Sequence, residues 1–409
     1  MSVSRQSVRS KEMPSQRTTR FSGSMTSLRL LKHNKSNRKQ LDDLLKNISN
    51  ENSYFQDSTE NHDNHKNRFT HLSSDQIDAT IAALNAGPNS RNFVMEQPER
   101  WGKLTLDKMG ETISALNIGE DSCNFVMEQP ERWDNFSIDK MKATAEALNE
   151  DEHSRNFVME HAERWDNLPS KKMVSTKYAL NRGVHSRNFV MEHAERWDNL
   201  SPKQMYGTRD ALNKGEHSRK FVMEHAERWE NIDFSEMFAT TEALNEGVHS
   251  RNFVMEHARR WNKLGSSEMY ATAKALNEGE DSRNFVMEHA ARWDKLRFSE
   301  MGTTRIYLNE GENSRNFIIT QGERWDRLYT HTMHATAFGL DRNEFIRNHI
   351  YNNAADWDDK GENQMYDFIR DHSIDEGVAE GVKEANLVRA IHGIHDDVVN
   401  ELTLSLIHI

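Results

Sequence analysis

The sequence predicts an all-α protein: a right-handed α-solenoid of about ten 32-residue two-helix repeats behind a disordered N-terminal tail. Three observations predict it. All nine tryptophans (Trp101, Trp133, Trp165, Trp197, Trp229, Trp261, Trp293, Trp325 and Trp357) are spaced 32 residues apart, and Phe69 holds the same slot one step earlier. The stretch HSRNFVMEHAERWDNL stands at 153–168 and again at 185–200. No segment alternates apolar and polar residues with period two, so no strand is expected. A fixed period in this range is the signature of stacked supersecondary units.

Counting each aromatic as position 0, one repeat reads W-D-N-L-S-P-K-x-M-x-x-T-x-x-A-L-N-x-G-x-x-S-R-N-F-V-M-E-H-A-E-R. A first helix is expected from position 5 to 16. In SPKQM, Ser201 is a cap and Pro202 takes the first helical position, a favoured start. Asn213 and Gly215 give the stop. A second helix is expected to begin at an invariant serine (Ser154, Ser186, Ser218) acting as N-cap and to run through the tryptophan. On such a helix Phe189, Val190, His193, Ala194, Trp197 and Leu200 share one arc of about 140°. Met205, Thr208, Ala211 and Leu212 make the matching stripe on the first helix. Neither stripe is a core alone; stacking joins them, which is why the residues recur. The tryptophans are therefore core residues.

The domain reading follows from this register. Residues 69–357 hold nine tandem repeats. Residues 358–403 form a degenerate capping repeat, in which Met365 keeps its slot, followed by a terminal helix over 381–402. Residues 1–68 form a basic, polar tail with one short helical candidate at Leu41–Ile48, too poor in apolar surface to order itself. The closing LSLIHI (404–409) matches the translation of a common transposase sequencing adapter. It is expected to be an artefact, with the true chain continuing beyond about Thr403 and a C-terminal domain missing.

Charge is unevenly divided. Residues 1–40 hold ten Lys/Arg against one acid, Glu12, and so carry +9; the chain as a whole is −12, which leaves −21 on the remainder. An acidic body is a poor general phosphate binder, because nucleic-acid affinity comes largely from Lys/Arg. The Arg/Ser-rich start has the composition of an organellar transit peptide and of bacterial type III secretion signals. One cysteine, Cys123, excludes a disulfide framework. No run reaches the roughly 18 apolar residues of a membrane span. The expected location is intracellular, cytoplasmic or organellar if residues 1–40 are a transit peptide.

No pattern for catalysis or for a cofactor occurs: no Gly-rich phosphate loop, nucleophile elbow or HExxH. Histidines recur at positions 20 and 28 (His153/His161, His185/His193, His217/His225, His249/His257), but one repeat apart is on the order of 10 Å, too far for shared metal ligation. Gln97 and Gln129 replace the position-28 histidine. That slot therefore reads as a semi-buried polar ladder, neutral and hydrogen-bonded to the first helix, with Thr208 and Asn213 as partners. Glu192 and Arg196 read as a surface i,i+4 pair. Asp134, Asp166 and Asp198 read as turn or cap residues, and the Arg of SRNF as a cover for the next helix.

Positions 9, 12 and 13 of the first helix vary from repeat to repeat while the rest hardly changes. They flank the buried stripe and are expected to be partly exposed. Tyr178, Tyr206, Arg209, Phe238, Tyr270 and Arg305 occupy them, of types enriched at interface hot spots. The expected function is a non-enzymatic, monomeric scaffold binding a protein or basic peptide on this face, with no membrane partner.

LSPKQMYGTRDALNKG (200–215) and FSEMFATTEALNEG (234–247) resemble the first helix of the octotricopeptide repeat of algal organelles. That resemblance implies an RNA-contacting solenoid with a transit peptide, the alternative function. The ALN…R…AERW pattern is similar to the Ser-Lys-Trp-Pro repeats of bacterial plant-pathogen effectors, which implies a secreted effector.

Overall fold

The computed structural model describes residues 34–52 and 69–373. Among these the protein is all-α, without a strand. It divides into two compact units, Met1–Gly183 with Val190–Pro202, and Val184–Phe189 with Lys203–Ile409.

Each repeat contains three helices, where two were expected. In the first unit, Ile138–Glu150 is followed after one residue by Glu152–Glu160, and after one more by the short Ala162–Asn167, which carries Trp165. The second helix ends at His161, whose φ of −114° and ψ of 45° lie outside the helical region. The same break falls at Gln97, Gln129, His225, His257 and His289. The cause is written in the first two repeats. Pro98 and Pro130 open their third helices, and a proline pushes the preceding residue out of the α-region. Later repeats put alanine, or in one case Gly322, there and keep the break.

The recurring serine is inside its helix rather than capping it. Ser154 is the third residue of Glu152–Glu160. Its hydroxyl donates to the carbonyls of Ala147 and Asp151 (2.5 and 3.1 Å), tying second helix to first. The asparagine of the next repeat adds to this tie: Asn181 Nδ2 donates to Ser154 Oγ (3.2 Å), and in the second unit Asn277 Nδ2 donates to Ser250 Oγ (2.9 Å). That contact explains the glycine between the helices. Gly247 has an extended backbone (φ −167°), so it does not serve as a left-handed stop. A Cβ there would come within 2.3 Å of Asn277 Oδ1. Where Asp151 takes the slot, Asn181 Oδ1 is left buried without a partner.

The tryptophans fill the hairpins. All nine are 0–1% exposed. Each indole N–H donates to the position-11 threonine of its own first helix, as in Trp165 to Thr144 (2.9 Å) and Trp229 to Thr208 (2.8 Å). Second-helix phenylalanines meet the tryptophans edge-on, as Phe157 does Trp165 at 6.2 Å and 75°; against Trp357 a histidine, His349, takes that place. Within each unit successive first helices pack against one another: Ser74–Ala86, Leu106–Ile118, Ile138–Glu150 and Ser170–Arg182 in the first, and Phe234–Glu246, Ser266–Glu278, Phe298–Glu310, Thr330–Arg342 and Glu362–Asp371 in the second.

The expected tail is partly ordered. Asn34–Asn52 is a 19-residue helix, longer than the Leu41–Ile48 candidate. It lies against Ser74–Ala86 and buries Leu41, Leu45 and Ile48. Asn37 donates to Asp78 (2.6 Å), and Arg38 donates to the carbonyls of Phe69 and Thr70. The first repeat has an apolar stripe with no preceding repeat to cover it, and this helix covers it. The tail readings over 1–33 and 53–68, the helix over 381–402 and the 404–409 stretch lie outside the described residues.

Candidate functional site

The first helix of a repeat has a neighbouring first helix on two sides. Its flanks are therefore covered more deeply than the hydrophobic stripe alone implies. Tyr206, Arg209 and Arg305 are 7, 9 and 6% exposed, and Lys177 at position 12 is 3% exposed. For these residues the expectation of a partly exposed slot is corrected. Tyr178, Phe238 and Tyr270 are half-buried and form the aromatic part of the surface.

Most of the cations at or beside these slots bridge repeats. In the first unit, Lys177 Nζ lies 2.7 Å from Glu150, 3.2 Å from Glu146 and 4.7 Å from the Tyr178 ring centroid. Burial alone would lower its pKa, but the two carboxylates hold the ammonium above its ordinary value. In the second unit, Lys274 meets Glu246 (3.1 Å) and lies over Tyr270 (5.4 Å). Lys214 pairs with Glu242 and lies 5.6 Å from the Phe238 centroid. Arg305 pairs with Glu278 of the preceding repeat, and burial moves its pKa down. Arg209 lies over Tyr206 (5.0 Å) and pairs with Asp210 (2.6 Å). In each unit, then, the aromatics at these slots stand beside a cation, and each such cation beside an acid. Two carboxyls along it, Glu111 in the first unit and Glu310 in the second, are pushed above their ordinary range by burial first.

The position-28 histidines are half-buried at the helix break, tilted against the phenylalanine of their own helix, as His161 is against Phe157 at 5.0 Å and 35°. The threonine and asparagine expected as their partners make other bonds. Thr208 receives the Trp229 indole, and Asn213 donates to Ser186 (2.9 Å). Among the described residues no three His, Cys, Asp or Glu side chains converge as a metal site.

A second ladder was not legible as such. In six repeats the arginine before the tryptophan reaches forward to the aspartate 34 residues later rather than back along its own chain, because the helix is broken before it. Arg100–Asp134, Arg132–Asp166 and Arg164–Asp198 pair in the first unit through both Nε and Nη2 (2.7–2.9 Å). Arg260–Asp294, Arg292–Asp326 and Arg324–Asp358 do so in the second (2.6–3.1 Å). Such forks are the stronger kind of ion pair. The aspartates are therefore inter-repeat clamps rather than turn residues. The Arg of SRNF likewise donates back to the end of its first helix, as Arg155 Nε does to Leu148 O (3.1 Å). The signal for the clamp was the constant Arg-to-Asp spacing across repeats.

One buried polar cluster interrupts the second unit's core. His334 lies between Thr303 Oγ1 (3.0 Å from Nε2) and the Tyr307 hydroxyl (3.2 Å from Nδ1). Burial lowers the His334 pKa to about 4 and raises that of Tyr307. All three groups are satisfied by one another, and the cluster reads as packing. No family model matches the chain, and neither the curated proteins nor the solved structures contain a match to it.

Proposed function

We propose that this chain is a non-enzymatic repeat scaffold that holds a protein partner, preferentially a basic peptide, along its first-helix face. The helical-repeat architecture is of the kind that serves as an interaction scaffold. One observation carries the reading: the slots that vary between repeats hold half-buried aromatics whose neighbouring cations are already paired with acids. Cations spent on internal carboxylates do not neutralise phosphates, which disfavours the RNA-binding alternative. Aromatics exposed on one edge suit protein hot spots. Carboxyls such as Glu111 and Glu310, raised by burial, gain from a cation brought by a partner.

The experiment is site-directed photo-crosslinking in cells, with the crosslinker at 178, 238 or 270 and, as control, at Asn252 on a second helix. The same protein should be captured at 178, 238 and 270 and be absent at 252. Equal capture at all four sites would place the partner elsewhere. Recovery of RNA that falls steeply with salt would replace this reading with the RNA-binding one.

A further inference from the structure

One rung of the Arg–Asp ladder in the second unit is broken. Where Asp294, Asp326 and Asp358 close their rungs, Asn262 stands opposite Arg228 and is exposed. Arg228 keeps its place over the Phe221 ring (4.8 Å) and donates Nη2 to Val254 O (2.9 Å). Its Nε is sealed from solvent and has no acceptor. Nε2 of His225, one turn earlier, is also buried without a partner. The two positions adjoin, as the first unit shows, where Gln97 Oε1 accepts from Arg100 Nη1 (3.0 Å). Burial with no countercharge moves the Arg228 pKa down. A desolvated cation stripped of its partner is costly, and repeats that otherwise keep the clamp show that the cost was avoidable.

The sequence around the break changes in the same direction. HARRWNKL at 257–264 stands where 161–168 reads HAERWDNL. Arg259 replaces a glutamate, Asn262 an aspartate and Lys263 an asparagine, and each change adds positive charge within an acidic body. Arg259 and Asn262 are i,i+3, hence on one helix face. Both Arg259 and Lys263 are exposed. At the broken rung there are therefore an arginine Nε and an imidazole nitrogen without partners, and the segment that carries Asn262 adds two exposed cations, Arg259 and Lys263.

We propose that this broken rung is an oxyanion site that takes a phosphate monoester group. The fork that binds Asp carboxylates in the other rungs fits two phosphate oxygens equally well. Arg259 and Lys263 supply the further charge that a group near −2 calls for and a carboxylate does not.

The test is thermal unfolding of the full chain at constant ionic strength. Inorganic phosphate or phenyl phosphate replaces chloride, and acetate serves as the carboxylate arm. The wild-type midpoint should rise saturably by about 2–4 °C with either phosphate. Arg228→Met should lose the rise. Asn262→Asp restores the internal carboxylate. It should melt higher than wild type without phosphate and no longer respond to it, so the test stands even if Arg228→Met folds poorly. An equal phosphate response in wild type and Asn262→Asp would overturn the proposal. So would an acetate response as large as that to phosphate.

Discussion

At the scale of single residues, the tryptophan slot is fixed by two demands at once. The ring fills the hairpin, and its N–H needs an acceptor that only position 11 supplies. Thr272→Val keeps the shape and removes the acceptor of Trp293 (2.9 Å). It should cost about 1–3 kcal/mol, and Thr272→Ser much less, measured by denaturant unfolding. Trp293→Ala should cost about 3–5 kcal/mol by the cavity it leaves. His334 gives a pH prediction. Its pKa falls from 6.5 to about 4 on folding, so the folded state resists a proton that the unfolded chain accepts. The stability associated with the neutral imidazole is complete above pH 6.5 and is lost as pH falls toward 4, a loss on the order of 3 kcal/mol. Stability measured across that window should fall more steeply in wild type than in His334→Gln. Identical slopes would contradict the assignment.

At the scale of the helix, the break at position 28 is the element that sequence periodicity misplaced. An apolar arc drawn through Phe189 and Trp197 assumes one continuous helix, and it identifies inward residues without seeing that the axis turns between them. The proline signal was present at Pro98 and Pro130 but absent from the repeats where the pattern was clearest. The structure therefore predicts that Ala226→Pro is tolerated. The first position of a third helix has no intrahelical bond to lose, and the substitution should leave stability unchanged or raise it by up to about 1 kcal/mol. Met223→Pro, inside Glu216–Glu224, should cost about 3 kcal/mol or more. Comparable melting of the two variants would show that the break is not a standing feature of the repeat.

At the scale of the whole molecule, end effects govern a stacked array, because each hairpin depends on its neighbours. The helix Asn34–Asn52 stands where a preceding repeat would be. Deleting residues 1–52 uncovers the stripe that Leu41, Leu45 and Ile48 cover, worth about 3–5 kcal/mol to the first repeat. Hydrogen exchange should accelerate in Ser74–Ala86 and Pro88–Glu96 and remain unchanged in Ser170–Arg182, three repeats on. Uniform acceleration along the chain would mean that the helix is not a local cap.

The period, the all-α class, the stop and start of the first helices and the inward-facing Trp, Phe, Met and Leu slots were determined by sequence alone. Each of these depends on contacts within about one repeat, and repetition displays them many times over. The depth of Tyr206, Arg209 and Arg305, the forward reach of Arg to Asp and the role of glycine against the next repeat's asparagine were decided only in the tertiary structure. Those are contacts between repeats, and a one-dimensional pattern shows which residues recur without showing which of them meet. Asn262 is a single letter changed in a ladder. It becomes a broken rung only when Arg228, 34 residues earlier, is seen to have no acceptor for its Nε.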